Sequence, residues 1–168
     1  MAAVNIDGLV FAFPSHWQVL KYDDCAFHRQ QFQSFAGGSK AVDVVALVAD
    51  VLWLIEVKDY RQARREKTMG LAAEVAHKVR STLAGLAVAR VRANDEGEKQ
   101  FAELAMQARQ IRVALHLEQT CKPSRLFPQV ANPLSLKMEL KTALRAVDPH
   151  SLLVSSHSQG RAPEWSAG

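Results

Sequence analysis

Two short β-branched runs, Ala41–Val48 (AVDVVALV) and Val51–Lys58 (VLWLIEVK), lie on either side of Ala49-Asp50, and they constrain the fold more than any other feature. Runs of this length and composition read as adjacent strands of a hairpin, mostly buried on both faces. Ala-Asp is a poor dipeptide for a primed turn, so a loop of either two or four residues is expected. Both lengths give one register, and it places Asp43 directly opposite Glu56.

The other elements arrange themselves around this hairpin. Val10–Phe13 and Trp17–Tyr22 (WQVLKY) read as short strands, and Ala26–Phe35 sets Phe27, Gln31, Phe32 and Phe35 at spacings of one helical face, with a strand as the alternative. Gly37-Gly38-Ser39 is a break. Leu71, Val75, Val79, Leu83 and Leu86 form one apolar stripe, which predicts a long helix over about 64–92. Asn94 or Asp95 can cap a second helix, with Phe101, Leu104 and Ala108 inward. Gln110–Glu118 alternates strictly and reads as a strand. Asn132 as cap and Pro133 at the first helical position open a third helix to Val147, followed by a strand over Ser151–Ser155. The order predicts an α/β layered domain with a mixed central sheet flanked by helices. Residues 1–155 read as a single domain and 156–168 as a flexible C-terminal tail.

At 168 residues, 48% of them hydrophobic, the chain suits one globular domain and excludes wholesale disorder. No apolar run approaches the roughly 20 residues of a membrane span. Met1–Asp7 has neither a basic nor a long apolar region, so no signal peptide is expected. Cys25 and Cys121 lack CxxC spacing, and the six histidines show no ligand spacing, so a disulfide framework or a zinc site is not expected. A cytoplasmic protein with no membrane contact is the expectation. The net charge of +4 is unevenly spread: Lys58–Arg92 holds nine basic residues against three acids. A concentrated positive stretch suits a polyanion, because neutralising phosphates releases condensed counterions. A solvated basic helix face explains the charge equally well.

One constellation fits a purely structural sheet poorly. Side chains alternate along a strand, so Glu56 and Lys58 share a face while Ile55 and Val57 share the other. In the expected register the Asp43 and Glu56 Cβ atoms would be roughly 5 Å apart, and like charges so placed destabilise a sheet. A divalent cation between them would relieve this, since Mg²⁺ favours one or two carboxylates plus water and phosphate. The bland alternative is a surface Glu-x-Lys ion pair contributing under about 1 kcal/mol.

Val42-Asp43-Val44-Val45 followed by Leu54-Ile55-Glu56-Val57-Lys58 resembles the signature of the PD-(D/E)xK, restriction-endonuclease-like phosphodiesterase superfamily. The resemblance covers roughly residues 17–155 and implies an αβββαβ core. It implies a nuclease hydrolysing DNA phosphodiester bonds, with Asp43, Glu56 and the Val57 carbonyl binding Mg²⁺ or Mn²⁺ and Lys58 positioning the attacking water. Arg61, Arg64, Arg65 and Lys78 are the candidate nucleic-acid contacts. Val42 stands where the superfamily often has Pro. The additional acid many members carry on the first core helix falls to Asp23 or Asp24, with Asp24 the candidate. Glu74, His77, Lys78 and Arg80 share the long helix; the resemblance allows a polar residue of this helix near the site, and a solvated face is the simpler expectation. One site per chain cuts one strand, so double-strand cleavage calls for a homodimer or two events. With no separate recognition module expected, a partner protein is a candidate source of specificity. The alternatives are an inactive domain of the same fold that binds nucleic acid or protein, and a plain structural α/β domain.

Overall fold

The computed structural model describes residues 1–62, 65–120, 122–126, 128–157 and 164–168. A central sheet of five strands is built from β3 (Gln18–Lys21), β4 (Val44–Val48), β5 (Val51–Asp59), β6 (Gln110–Glu118) and β7 (Leu152–Val154), in that spatial order. β3, β4 and β5 form an antiparallel meander, whereas β6 is parallel to β5 and β7 to β6. The sheet is therefore mixed, as expected. Three helices, α1 (Leu71–Arg92), α2 (Glu96–Gln107) and α3 (Pro133–Ala143), pack with Val45, Leu47, Leu52, Leu54, Val113 and Leu115 into one apolar core. No helix is long and apolar enough to cross a membrane, among the described residues.

The other face is covered differently. β1 (Ala2–Ile6) and β2 (Leu9–Phe13) form a hairpin, and β8 (Ser166–Ala167) adds to β2. Phe11, Phe13, Trp17 and Trp165 from this layer pack with Val44, Ala46, Ile55 and Val57. Neither strand β1 nor the return of the C-terminus is signalled by the local sequence pattern. Residues 164–168 are no mobile tail: Trp165 is only 5% exposed, and Val10 and Gly168 exchange backbone hydrogen bonds. Residues 158–163 lie outside the described residues.

Several boundaries shift for local reasons. The hairpin loop has two residues, with Val48 paired to Val51, because Ala49 accepts a left-handed backbone (φ 51°). Asp95 is the cap of α2, its carboxylate accepting from the Glu98 amide, and Asn132 caps α3 in the same way. Helix α1 starts at Leu71 rather than near residue 64, and Leu104 of α2 is exposed rather than inward. The segment after β3 is only partly helical, with a single tight turn at Tyr22–Asp24 and a wide one at His28–Phe32. Phe27 and Phe32 are buried, but Phe35 points outward where Ala36 and Gly37 take positive φ.

Candidate functional site

The site forms where the β4–β5 ladder ends. Pairing runs from Val48↔Val51 to Val44↔Ile55, so continuation would set Asp43 against Glu56 and Val42 against Val57. The chain bends instead. The Asp43 carboxylate accepts the Val57 amide at 2.6 Å, and the Val42 amide donates to Thr82 Oγ1 of α1 at 3.0 Å. The Asp43 carbonyl in turn accepts the Tyr22 amide at 2.8 Å. The N–H and C=O of one strand residue point to the same side, so the Val57 carbonyl also faces the edge held by Asp43.

Glu56 lies on the helical face of β5 and is fully buried. Lys58 Nζ and Lys78 Nζ each stand 2.6 Å from its Oε1, and Lys78 is also 3.9 Å from Asp43 Oδ1. Glu56 Oε2 is buried with no hydrogen-bond partner. Burial, then the Asp43 charge, drives the Glu56 carboxyl up to about 7 against the opposing pull of the two lysines. Lys58 moves the other way: burial lowers its pKa, but Glu56 outweighs this and holds it above the usual range.

Lys58 is also held from the helix. Glu74 Oε1 lies 3.7 Å away, and Glu74 collects Lys67 and, at 2.8 Å, Arg65. Burial alone would raise the Glu74 pKa, but its bonds from Lys67 and Arg65 win and bring it to about 2. Glu74 and Lys78 therefore do not occupy a solvated face. Both turn inward, and neither the motif nor the helical stripe signals this, because helical periodicity does not say which strand end the polar edge will meet.

The other candidates divide. Arg65 is an ion-pair partner of Glu74 and bonds Tyr60 Oη, so its guanidinium is largely engaged within the protein. Arg61 forks onto Asp59 at 2.6–3.1 Å at the surface. Arg64 lies outside the described residues. Asp24 is not at the site: it is exposed and paired with Lys21 at 2.8 Å. Its neighbour Asp23 lines one groove with Asp43. In a three-residue tight turn successive side chains diverge by roughly 120°, so with Tyr22 buried, Asp23 and Asp24 face different surroundings. Burial and then the Asp43 charge raise the Asp23 pKa, and its Oδ1 is buried without a partner.

A groove of about 960 Å³ opens beside these groups, lined by Asp23, Asp43, Lys78, His28, Lys40 and Arg80 among others. Among the described residues no three His, Cys, Asp or Glu side chains gather into a metal-binding group. The available set is smaller and consists of hard oxygens: the carboxylates of Asp43 and Glu56 and the Val57 carbonyl, with Asp23 nearby. Glu56 Oε2 and Asp23 Oδ1 are each buried with no hydrogen-bond partner, and a buried carboxylate oxygen without a donor is the kind of group that a hard divalent cation satisfies.

The chain is 33% identical, over 174 aligned positions covering 83% of its length, to the cysteine--tRNA ligase of Neisseria meningitidis serogroup A / serotype 4A (strain DSM 15465 / Z2491). That match takes in 25% of the ligase, so the chain spans about a quarter of the curated relative's length. No family model and no solved structure matches the chain.

Proposed function

We propose that the protein is a metal-dependent nuclease on a restriction-endonuclease-like core. The observation that carries this reading is the fully buried Glu56, whose free Oε2 and raised pKa accompany an Asp43 turned off the end of the neighbouring strand. The strand order supports the same reading, with an antiparallel β3–β4–β5 meander followed by a helix and a parallel β6.

Asp43, Glu56 and the Val57 carbonyl would hold Mg²⁺ or Mn²⁺, with Asp23 as the additional acid. The bound ion supplies charge neutralisation at the scissile phosphate and lowers the pKa of water. Lys58, fixed between Glu56 and Glu74, positions the attacking water. Lys78 keeps the two carboxylates compatible by standing between them, and the groove admits the strand. The relative's name couples it to tRNA, so RNA joins DNA as a substrate to test.

Thermal melting with and without Mn²⁺ and Mg²⁺ is the first test. The ion is expected to raise the Tm, and Asp43→Ala to abolish the rise. Incubation with plasmid, linear and branched DNA and with tRNA follows, with Lys58→Ala as control. Absence of metal-dependent cleavage of every substrate, at low salt and high protein concentration, overturns the reading. Salt-sensitive nucleic-acid binding without cleavage would mark a binding module of the same fold instead.

A further inference from the structure

His28, Lys40 and Arg80 line the groove that contains Asp43 and Lys78, and the proposed hydrolytic centre does not use them. Among the described residues Lys40 and Arg80 have no ion-pair or hydrogen-bond partner, although most charged groups around the site are paired. Unpaired cations at a groove are available to an anion.

His28 provides an independent sign. It is only 5% exposed, on the helical turn after Asp23, with Tyr22 packed 5.6 Å from its ring. Its Nδ1 is sealed from solvent and has no partner. With Nδ1 sealed, the ring can offer an N–H to a ligand in the groove only from Nε2. Burial and then the nearby Lys78 charge lower the His28 pKa, which keeps the ring neutral near pH 7. A neutral imidazole with one N–H, in a groove that also carries two unpaired cations, matches a phosphodiester: the monoanion needs charge and directed donors.

We propose that His28, Lys40 and Arg80 form a phosphodiester subsite that holds a phosphate of a single polynucleotide strand away from the bond next to Asp43. This rests on the nuclease reading for its setting and adds a substrate class: a strand with at least one phosphate beyond the scissile one, in preference to a simple phosphodiester.

Binding is measured apart from cleavage. Fluorescence anisotropy in EDTA follows labelled single-stranded DNA and RNA of matched sequence across a salt series. The double variant Lys40→Ala/Arg80→Ala is expected to weaken binding about tenfold. It should also reduce the slope of log K against log salt by about 0.7, the value for one single-strand phosphate no longer neutralised. His28→Phe is expected to weaken binding while His28→Gln, which keeps an N–H donor, retains it. Lys99→Ala on α2 serves as a control. Melting curves establish that each variant is folded. Equal weakening for DNA and RNA supports a phosphate subsite, and weakening confined to one of them assigns the strand the subsite serves. Affinities unchanged in the double variant, or reduced equally in Lys99→Ala, overturn the subsite even if metal-dependent cleavage is found. Groove-dependent binding with no cleavage by the wild type sustains the subsite and removes the nuclease reading.

Discussion

Glu56 is held at the residue scale by opposed forces, and pH separates them. Its carboxyl titrates near 7 in the folded chain against an ordinary value of 4.5, so the folded state keeps the proton that the unfolded chain releases. Stability linked to this group is therefore fully present below pH 4.5 and lost as pH rises toward 7, by on the order of 3 kcal/mol. Urea unfolding in EDTA at a series of pH values is expected to show this fall in the wild type. The Glu56→Gln difference curve is expected to remove it, and an identical pH slope in both proteins overturns the assignment. Under the proposed metal-dependent reading, Mn²⁺ stabilisation is expected to weaken as pH drops below about 7, because proton and cation would compete for one carboxylate; a Mn²⁺-induced Tm rise that does not change across this range overturns that reading of Glu56. The Glu-x-Lys spacing and the apolar strand make Glu56 and Lys58 legible. Asp23 is harder, because which of two adjacent acids faces inward depends on the turn that carries them.

At the scale of elements, helix α1 shows why a stripe of apolar residues is only half a description. Leu71, Val75, Val79 and Leu86 are buried as the spacing predicts, yet Gly85 also sits within the helix. In a solvent-exposed helix Gly→Ala stabilises by about 1 kcal/mol. Here a Cβ at Gly85 would stand 2.6 Å from Tyr22 Oη and 3.4 Å from the Phe32 ring, both in the segment that carries Asp23 and His28. Gly85→Ala is expected to destabilise by about 1–3 kcal/mol. Tyr22→Phe removes the obstructing hydroxyl, which has no hydrogen-bond partner, so it should be near neutral alone and restore most of the stability in the double variant. Denaturant midpoints of the four proteins check this, and simple additivity of the two substitutions overturns it. The glycine looks like a defect in the helical pattern because its reason lies some sixty residues earlier in the chain.

The whole molecule is closed by its two ends. The helical face of the sheet follows from helix periodicity, but the opposite face is covered by β1, β2 and the returning C-terminus. Trp165 packs within 5.1–5.9 Å of the rings of Trp53, Trp17 and Phe13. Its replacement, Trp165→Ala, is expected to cost about 3–5 kcal/mol, the range for a large buried aromatic. A melting temperature unchanged from wild type overturns that placement. Ser-, Gly- and Pro-rich composition near residues 156–168 reads as a tail because two strand residues and one tryptophan are too short a signal to register locally. Their burial depends on β2 already being in place.

Local chemistry by itself determined the sheet–helix alternation, the β4–β5 register, the caps at Asp95 and Asn132, and the grouping of Asp43 with Glu56 and Lys58 at one strand end. Each follows from side-chain periodicity or from hydrogen bonds between near neighbours in the chain. Only the tertiary structure decided that Lys78 and Glu74 turn into the site, that Asp23 rather than Asp24 lines the groove with Asp43, and that Trp165 seals the far face. Those outcomes depend on which distant surfaces are desolvated together, and a buried charge or ring takes its place from partners that the local pattern does not contain.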